Sequence, residues 1–259
     1  MKTPYFFMEA PPFTPPPSIL DTIKNLWKFT LRPAPIKREH NVVEVKLPLI
    51  FQILLIELVV LTVLLLLLSY LYKAMGLQVQ GKEQVWALVV NKPFLLLFVT
   101  FVLFAPLKEE IVFRLPLEYS GVFLVAALAT FLFHYGPALI IRTQTSLPAL
   151  LVILASITAF VVAFFKSKKL KGILSRLWTN HFTIVFYFFT LLFAGMHLLN
   201  YQDLNLPLYM LPLQVLPQFV GGIFLGYTRL RLGFGWCVGQ HMFNNAVALF
   251  LLYGYLISN

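Results

Sequence analysis

Three short polar clusters lie within or beside long apolar runs: Glu109-Glu110-Ile-Val-Phe-Arg114, Phe193-Ala-Gly-Met-His197 and His241-Met-Phe-Asn244-Asn245. An ionisable group at membrane depth is costly and is usually kept for function. The chain has only ten carboxylates in 259 residues, so an adjacent pair in such a setting calls for an explanation. A glutamate beside a cation can act as a general base toward water. Imidazole and amide groups can hold a water, bind a metal or donate to an oxyanion.

Neighbours on a helix point about 100° apart, so Glu109 and Glu110 cannot face one centre equally. One is read as the reactive group and the other as its support. Arg114 follows Glu110 by four residues, the spacing of a helical ion pair, and a guanidinium there favours the carboxylate form. The same string also reads as the charged end of a helix at the membrane surface, with Lys108 and Glu118 nearby. His197 ends the aromatic-rich run that starts at Phe182; a lone histidine there is either a hydrogen-bonded structural residue or part of a site. His241 and Asn245 share one helix face, as a chemical pair or as an interhelical hydrogen-bonding pair. Asn244 points elsewhere. His40, His134 and His181 fit no such pattern, and His134 precedes Tyr135-Gly136-Pro137, a helix-ending signal.

The elements that must position these groups are membrane helices. Hydrophobic residues make up 59% of the chain and charged residues 12%, with mean hydropathy +0.83. A soluble domain carries roughly 25% charged residues. The net charge of +10 then fits cationic loops facing anionic lipid, and no folded basic surface is left for nucleic acid. The lone Cys237 excludes an intrachain disulfide and reads as a small packing residue.

The fold expected is all-α, a polytopic transmembrane bundle of about seven spans (six to eight). Residues 1–46 form a proline-rich cytoplasmic tail with an interfacial amphipathic helix, and residues 47–259 form the membrane domain. The tail has prolines at 4, 11, 12, 15, 16 and 17 and no apolar signal core, so the first span serves as an uncleaved insertion signal. In the amphipathic helix Ile19, Ile23, Leu26, Trp27 and Leu31 fall at helical spacing, with Ser18 and Asp21 as a start signal. That helix either lies in the membrane interface or packs on the bundle. Spans are expected at about 47–72, 85–107 with Pro93 and Pro106 as kinks or breaks, 121–134, 147–165, 178–199, 207–227 and 234–257. Lys166, Lys168, Lys169, Lys171 and Arg176 form a basic loop which, with the tail, marks the cytoplasmic side of a plasma (inner) membrane. Gly221, Gly222 and Gly226 supply small residues for close helix packing. No internal repeat is visible, which argues against a transporter built from inverted halves.

The strings APLKEEIVFR, FAGMH and FVGGIFLGYTRLRLGFGWCVGQHMFNN, in that order, resemble the CAAX protease and bacteriocin-processing enzyme (CPBP) family of intramembrane proteases. The resemblance covers roughly residues 94–120 and 190–250. The family's pattern is two glutamates with an arginine four after the second, a phenylalanine four before a histidine, and a histidine four before an asparagine. Two departures are Leu115-Pro116 where glycine is frequent, and a long interval between Arg114 and Phe193.

The resemblance implies that Glu109 and His197 activate a water, that His241 and Asn245 hold the oxyanion, and that Glu110 and Arg114 orient and charge-balance the site. Zinc on Glu109, His197 and His241 is left open, since no H-E-x-x-H helix is present. The substrate it implies is a hydrophobic or lipidated peptide, or part of a membrane protein. The competing reading is a non-proteolytic member that binds a peptide or protein partner in an immunity or scaffold role.

Overall fold

The computed structural model describes residues 17–76, 92–200 and 207–258, and among these the chain is an all-α bundle without strands. The proline-rich tail, and residues 85–91 of the second expected span, lie outside the described residues. Helix α1 spans Ile19–Leu31, with Ser18 accepting from the Asp21 N–H at 3.2 Å as its cap. Its Thr22, Leu26 and Phe29 are buried, while Leu20, Trp27 and Leu31 stay exposed. Phe29 meets Phe186 and Tyr227 at ring separations of 5.0 and 5.2 Å. The helix therefore docks on the bundle and keeps an apolar face uncovered.

A π-helical turn, Val42–Lys46, leads into α2, Leu47–Ala74. Helix α3 occupies residues 94–113 and joins Phe94–Leu97, a π-helical stretch Phe98–Phe104 and Ala105–Phe113. A 3-10 turn, Leu115–Leu117, reverses the chain into α4, Gly121–Thr143. Then follow α5, Leu147–Lys166; α6, Lys168–Asn180; and α7, Phe182–Met196. Helices α8, Leu216–Arg231, and α9, Phe234–Ser258, complete the bundle.

Five stretches among the described residues are long and apolar enough to cross a membrane: Val42–Ala74, Gly121–Ala138, Pro148–Lys166, Phe182–Asn200 and Leu208–Arg231. Helix α9 has the length, 25 residues, but carries Gln240, His241, Asn244 and Asn245.

Three sequence expectations are corrected. Pro106 does not break α3; it sits where the π-helical stretch returns to α-helix, so Glu109 and Glu110 occupy the last turns of a continuous helix. Pro137 does not end α4, which runs six residues further to a left-handed Gln144 (φ 49°); a membrane helix tolerates proline where neighbouring groups re-satisfy the backbone. Finally, the basic segment before the 178–199 span is not a loop. Ser167 accepts from the Leu170 N–H at 3.1 Å and starts α6, which buries no residue and is separated from α7 at His181.

Helix α8 is the centre of the bundle: every residue from Gly221 to Arg231 is buried. The spacing of glycines makes this possible. A Cβ on Gly226 would come within 2.5 Å of the Phe186 ring, and one on Gly222 within 3.0 Å of Arg114 and 3.1 Å of Thr190. At Gly221 the nearest atom would be Glu57 Oε1 at 3.8 Å, an ordinary contact. Two of the three glycines are thus needed for α7 to lie against α8.

Ion pairs tie one end together. Glu118 accepts from Arg38 at 2.8 Å and from Arg229 at 2.9 Å, and Arg231 pairs with Glu39 at 2.6 Å. Tyr119 donates to the Lys171 carbonyl and Thr183 to that of Pro33, both at 2.9 Å. Partial burial works against charge on Glu118, but the Arg229 and Arg38 guanidiniums outweigh it and hold its carboxyl below the usual range. The segment before α2, the α3–α4 turn and the basic helix α6 therefore gather at the same end of the molecule.

Candidate active site between α3, α7 and α9

Helices α3 and α9 run antiparallel, and their polar residues meet in register. Glu110, fully buried, is the hub. Its Oε1 accepts the His241 Nδ1–H at 2.8 Å, and its Oε2 accepts the Cys237 S–H at 2.7 Å. Arg114, one turn on, places Nε 3.7 Å from the same Oε2. Cys237 lies one turn before His241 on α9, so the cysteine read as packing also satisfies a carboxylate.

Glu109 faces a different environment. Its Oε2 lies 3.7 Å from His241 Nε2, beyond hydrogen-bonding reach, and its side chain is 17% exposed. The two adjacent carboxylates therefore flank one imidazole, one bound to Nδ1 and the other facing Nε2. A carboxylate on Nδ1 fixes the ring's tautomer and orientation, as in other carboxylate–histidine pairs.

Phe193 brings the second histidine to this cluster. Its ring packs against His197 at 4.6 Å and His241 at 6.0 Å, both edge to face. The Arg114 guanidinium lies over the same ring, 3.8 Å from its centroid. Both terminal nitrogens of Arg114 are buried without a hydrogen-bond acceptor among the described residues, so the aromatic face and Glu110 are what compensate its charge there. His197 donates from Nδ1 to the Phe193 carbonyl at 2.8 Å, which leaves Nε2 without a hydrogen-bond partner among the described residues. Phenylalanine four residues before histidine thus has a physical meaning: one residue supplies the carbonyl that orients the ring and the face that seats the arginine.

Asn245 is one turn beyond His241 and faces α3 as well, but its partner is backbone. The Ala105 N–H goes to Thr100 in the π-helical stretch, and Pro106 has no N–H. The Phe101 carbonyl is thereby freed, and Asn245 Nδ2 donates to it at 2.8 Å. One amide proton is used there, and the other has no partner among the described residues.

One buried acid escaped the sequence reading. Glu57, 1% exposed, accepts from Gln240 Nε2 at 2.8 Å and also interacts with the Asn244 amide. It is the only charged residue between Lys46 and Lys73, a signal that was present in the sequence but lost within an otherwise uniform span. Asn244, set aside from the His241 face, belongs to this second centre. His134 also has a partner, Lys108, whose Nζ is 3.0 Å from its Nε2.

Among the described residues no three His, Cys, Asp or Glu side chains converge closely enough to hold a metal ion. Glu109, His197 and His241 lie near one another, and both histidines have Nδ1 committed to an acceptor. No step below passes through a metal. No family model, curated protein or solved structure matches the chain, and its functional reading rests on these residues and their geometry.

Proposed function

We propose that this chain is an intramembrane endopeptidase that hydrolyses a peptide bond close to the membrane. The observation that carries the reading is the imidazole shared by adjacent carboxylates: His241 is held by Glu110 at 2.8 Å and faces Glu109 at 3.7 Å. Glu110, saturated by its partners, orients. Glu109 has its carboxylate free and takes a proton from water as the oxygen attacks the peptide carbonyl. His197 presents Nε2 as the second acceptor for that water. The oxyanion is assigned to His241, when Nε2 carries a proton, and to the unused N–H of Asn245; one such donor is worth about 3 kcal/mol in the transition state. Glu109 then returns its proton to the leaving amine, and the two chain ends separate.

The substrate class that suits such a site is a hydrophobic or lipidated peptide, or part of a membrane protein, reached from the lipid. The tail-side segment and basic helix α6 share one end of the bundle, which supports placing that end, and the N-terminus, on the cytoplasmic face of the plasma (inner) membrane. The test is cleavage of a library of hydrophobic peptides by purified protein. Cleavage that survives prolonged chelation is the expected outcome. Loss on chelation with recovery on zinc would bring a metal into the mechanism. Peptide binding without any cleavage would replace the hydrolase with the partner-binding reading.

A further inference from the structure

The end of the bundle that carries the ion pairs also contains a cavity of about 460 Å³, lined by the segment before α2, the α3–α4 turn and the start of α7. Most of its polar walls are already satisfied. Tyr119 donates to the Lys171 carbonyl, Trp178 Nε1 to that of Pro116 at 2.7 Å, and Thr179 to that of Ser175 at 2.8 Å. What is left over is a set of hydrogen-bond donors, two of them on cations. Arg38 Nε is buried with no acceptor among the described residues, and Lys37 and His40 project exposed side chains from the same short segment. The one carboxylate, Glu118, is shared between Arg38 and Arg229. Positive charge therefore exceeds negative charge around the cavity.

Trp178 forms the wall between this cavity and a second one. The neighbour is an apolar cleft of about 350 Å³ bounded by Val125, Leu128, Phe131, Val161 and Leu192 among others. A cationic chamber and an apolar cleft on either side of one tryptophan match a ligand with an anionic head and a hydrocarbon tail. Basic pockets between membrane helices at the cytoplasmic side take such head groups, and tryptophan is favoured at that depth. We infer that this cavity pair binds an anionic phospholipid, its phosphodiester against Arg38, Lys37 and His40 and an acyl chain in the cleft behind Trp178. The inference does not depend on the hydrolase reading.

The test uses full-length protein purified in neutral detergent and incubated with phosphatidylglycerol, with phosphatidylcholine of the same chains, or with inorganic phosphate. Bound lipid is read by native mass spectrometry, and stability by melting temperature. Phosphatidylglycerol should be retained about thirtyfold better than phosphatidylcholine, the scale that two cations near a lipid surface supply. It should also raise the melting temperature, while phosphate alone does neither. The double variant Lys37→Ser/His40→Ser changes two exposed side chains and keeps Arg38, so its lipid-free melting temperature should hold while the headgroup preference falls severalfold. Equal retention of the two lipids, an equal shift with inorganic phosphate, or a preference unchanged in the double variant would each overturn the site.

Discussion

Helix α9 carries two polar faces through an apolar bundle, and they are stabilised in different ways. On one face His241 and Asn245 meet α3, where buried Glu110 is surrounded by an imidazole, a thiol and the Arg114 guanidinium. On the other face Gln240 and Asn244 meet Glu57 of α2, and no lysine or arginine pairs with that acid among the described residues. The first centre is a compensated charge cluster with one carboxylate, Glu109, beside it and without a hydrogen-bond partner among the described residues. The second is a hydrogen-bonding contact between amides and an acid. A buried polar group alone does not mark a reactive site; what distinguishes the α3 face is a free acid next to an oriented imidazole.

Substituting glutamine for each buried acid would sharpen this contrast most. Glu110→Gln leaves Arg114 buried without its counter-charge, so unfolding in detergent should show a loss of about 3–5 kcal/mol. Glu57→Gln replaces an acid whose partners are amides by another amide, and should cost under about 1 kcal/mol, since both hydrogen-bond partners can still be met. Equal losses at the two positions would erase the distinction drawn between the faces. A smaller effect is expected in the glycine spine of α8. Gly226→Ala forces a Cβ against the Phe186 ring and should destabilise by about 1–3 kcal/mol, whereas Gly221→Ala meets only an ordinary contact with Glu57 and should be nearly neutral.

A small effect is also expected at Glu118, whose side chain is half exposed. Glu118 has its carboxyl held below the usual range by Arg229 and Arg38. Its contribution is therefore present at pH above the ordinary carboxylate range and is lost as pH falls through the lowered folded value. Glu118→Gln should flatten the acid limb of a stability–pH curve while leaving neutral-pH stability within about 1 kcal/mol. A variant curve parallel to wild type down to low pH would remove Glu118 from that limb.

Much of this arrangement was legible in the residues, and the parts that were not have physical reasons. Gly121, Leu147 and Phe234 were read as helix starts because apolar runs begin there, and helices begin at those positions. The i,i+4 spacings of Glu110 with Arg114 and of Phe193 with His197 became an ion pair and a backbone hydrogen bond. Proline was over-read at 106 and 137, because its breaking effect weakens where other groups satisfy the freed carbonyls, as Asn245 does for Phe101. Helix α6 was missed because its lysines suggested a loop, although an amphipathic helix can keep them at the interface. Glu57 was passed over since apolar length dominates the reading of a span, and its partners lie 183 residues away in Gln240 and on the next turn in Asn244.

The central claim is that Glu109 activates water while Glu110 orients His241. It is tested most directly by the rate of peptide cleavage in Glu109→Gln beside its melting temperature. Glutamine keeps the size of Glu109 and removes the base, so cleavage should fall by at least about a hundredfold, the range of a general base, with the melting temperature unchanged. A Glu109→Gln variant that cleaves at the wild-type rate would contradict the account and move the base to another residue.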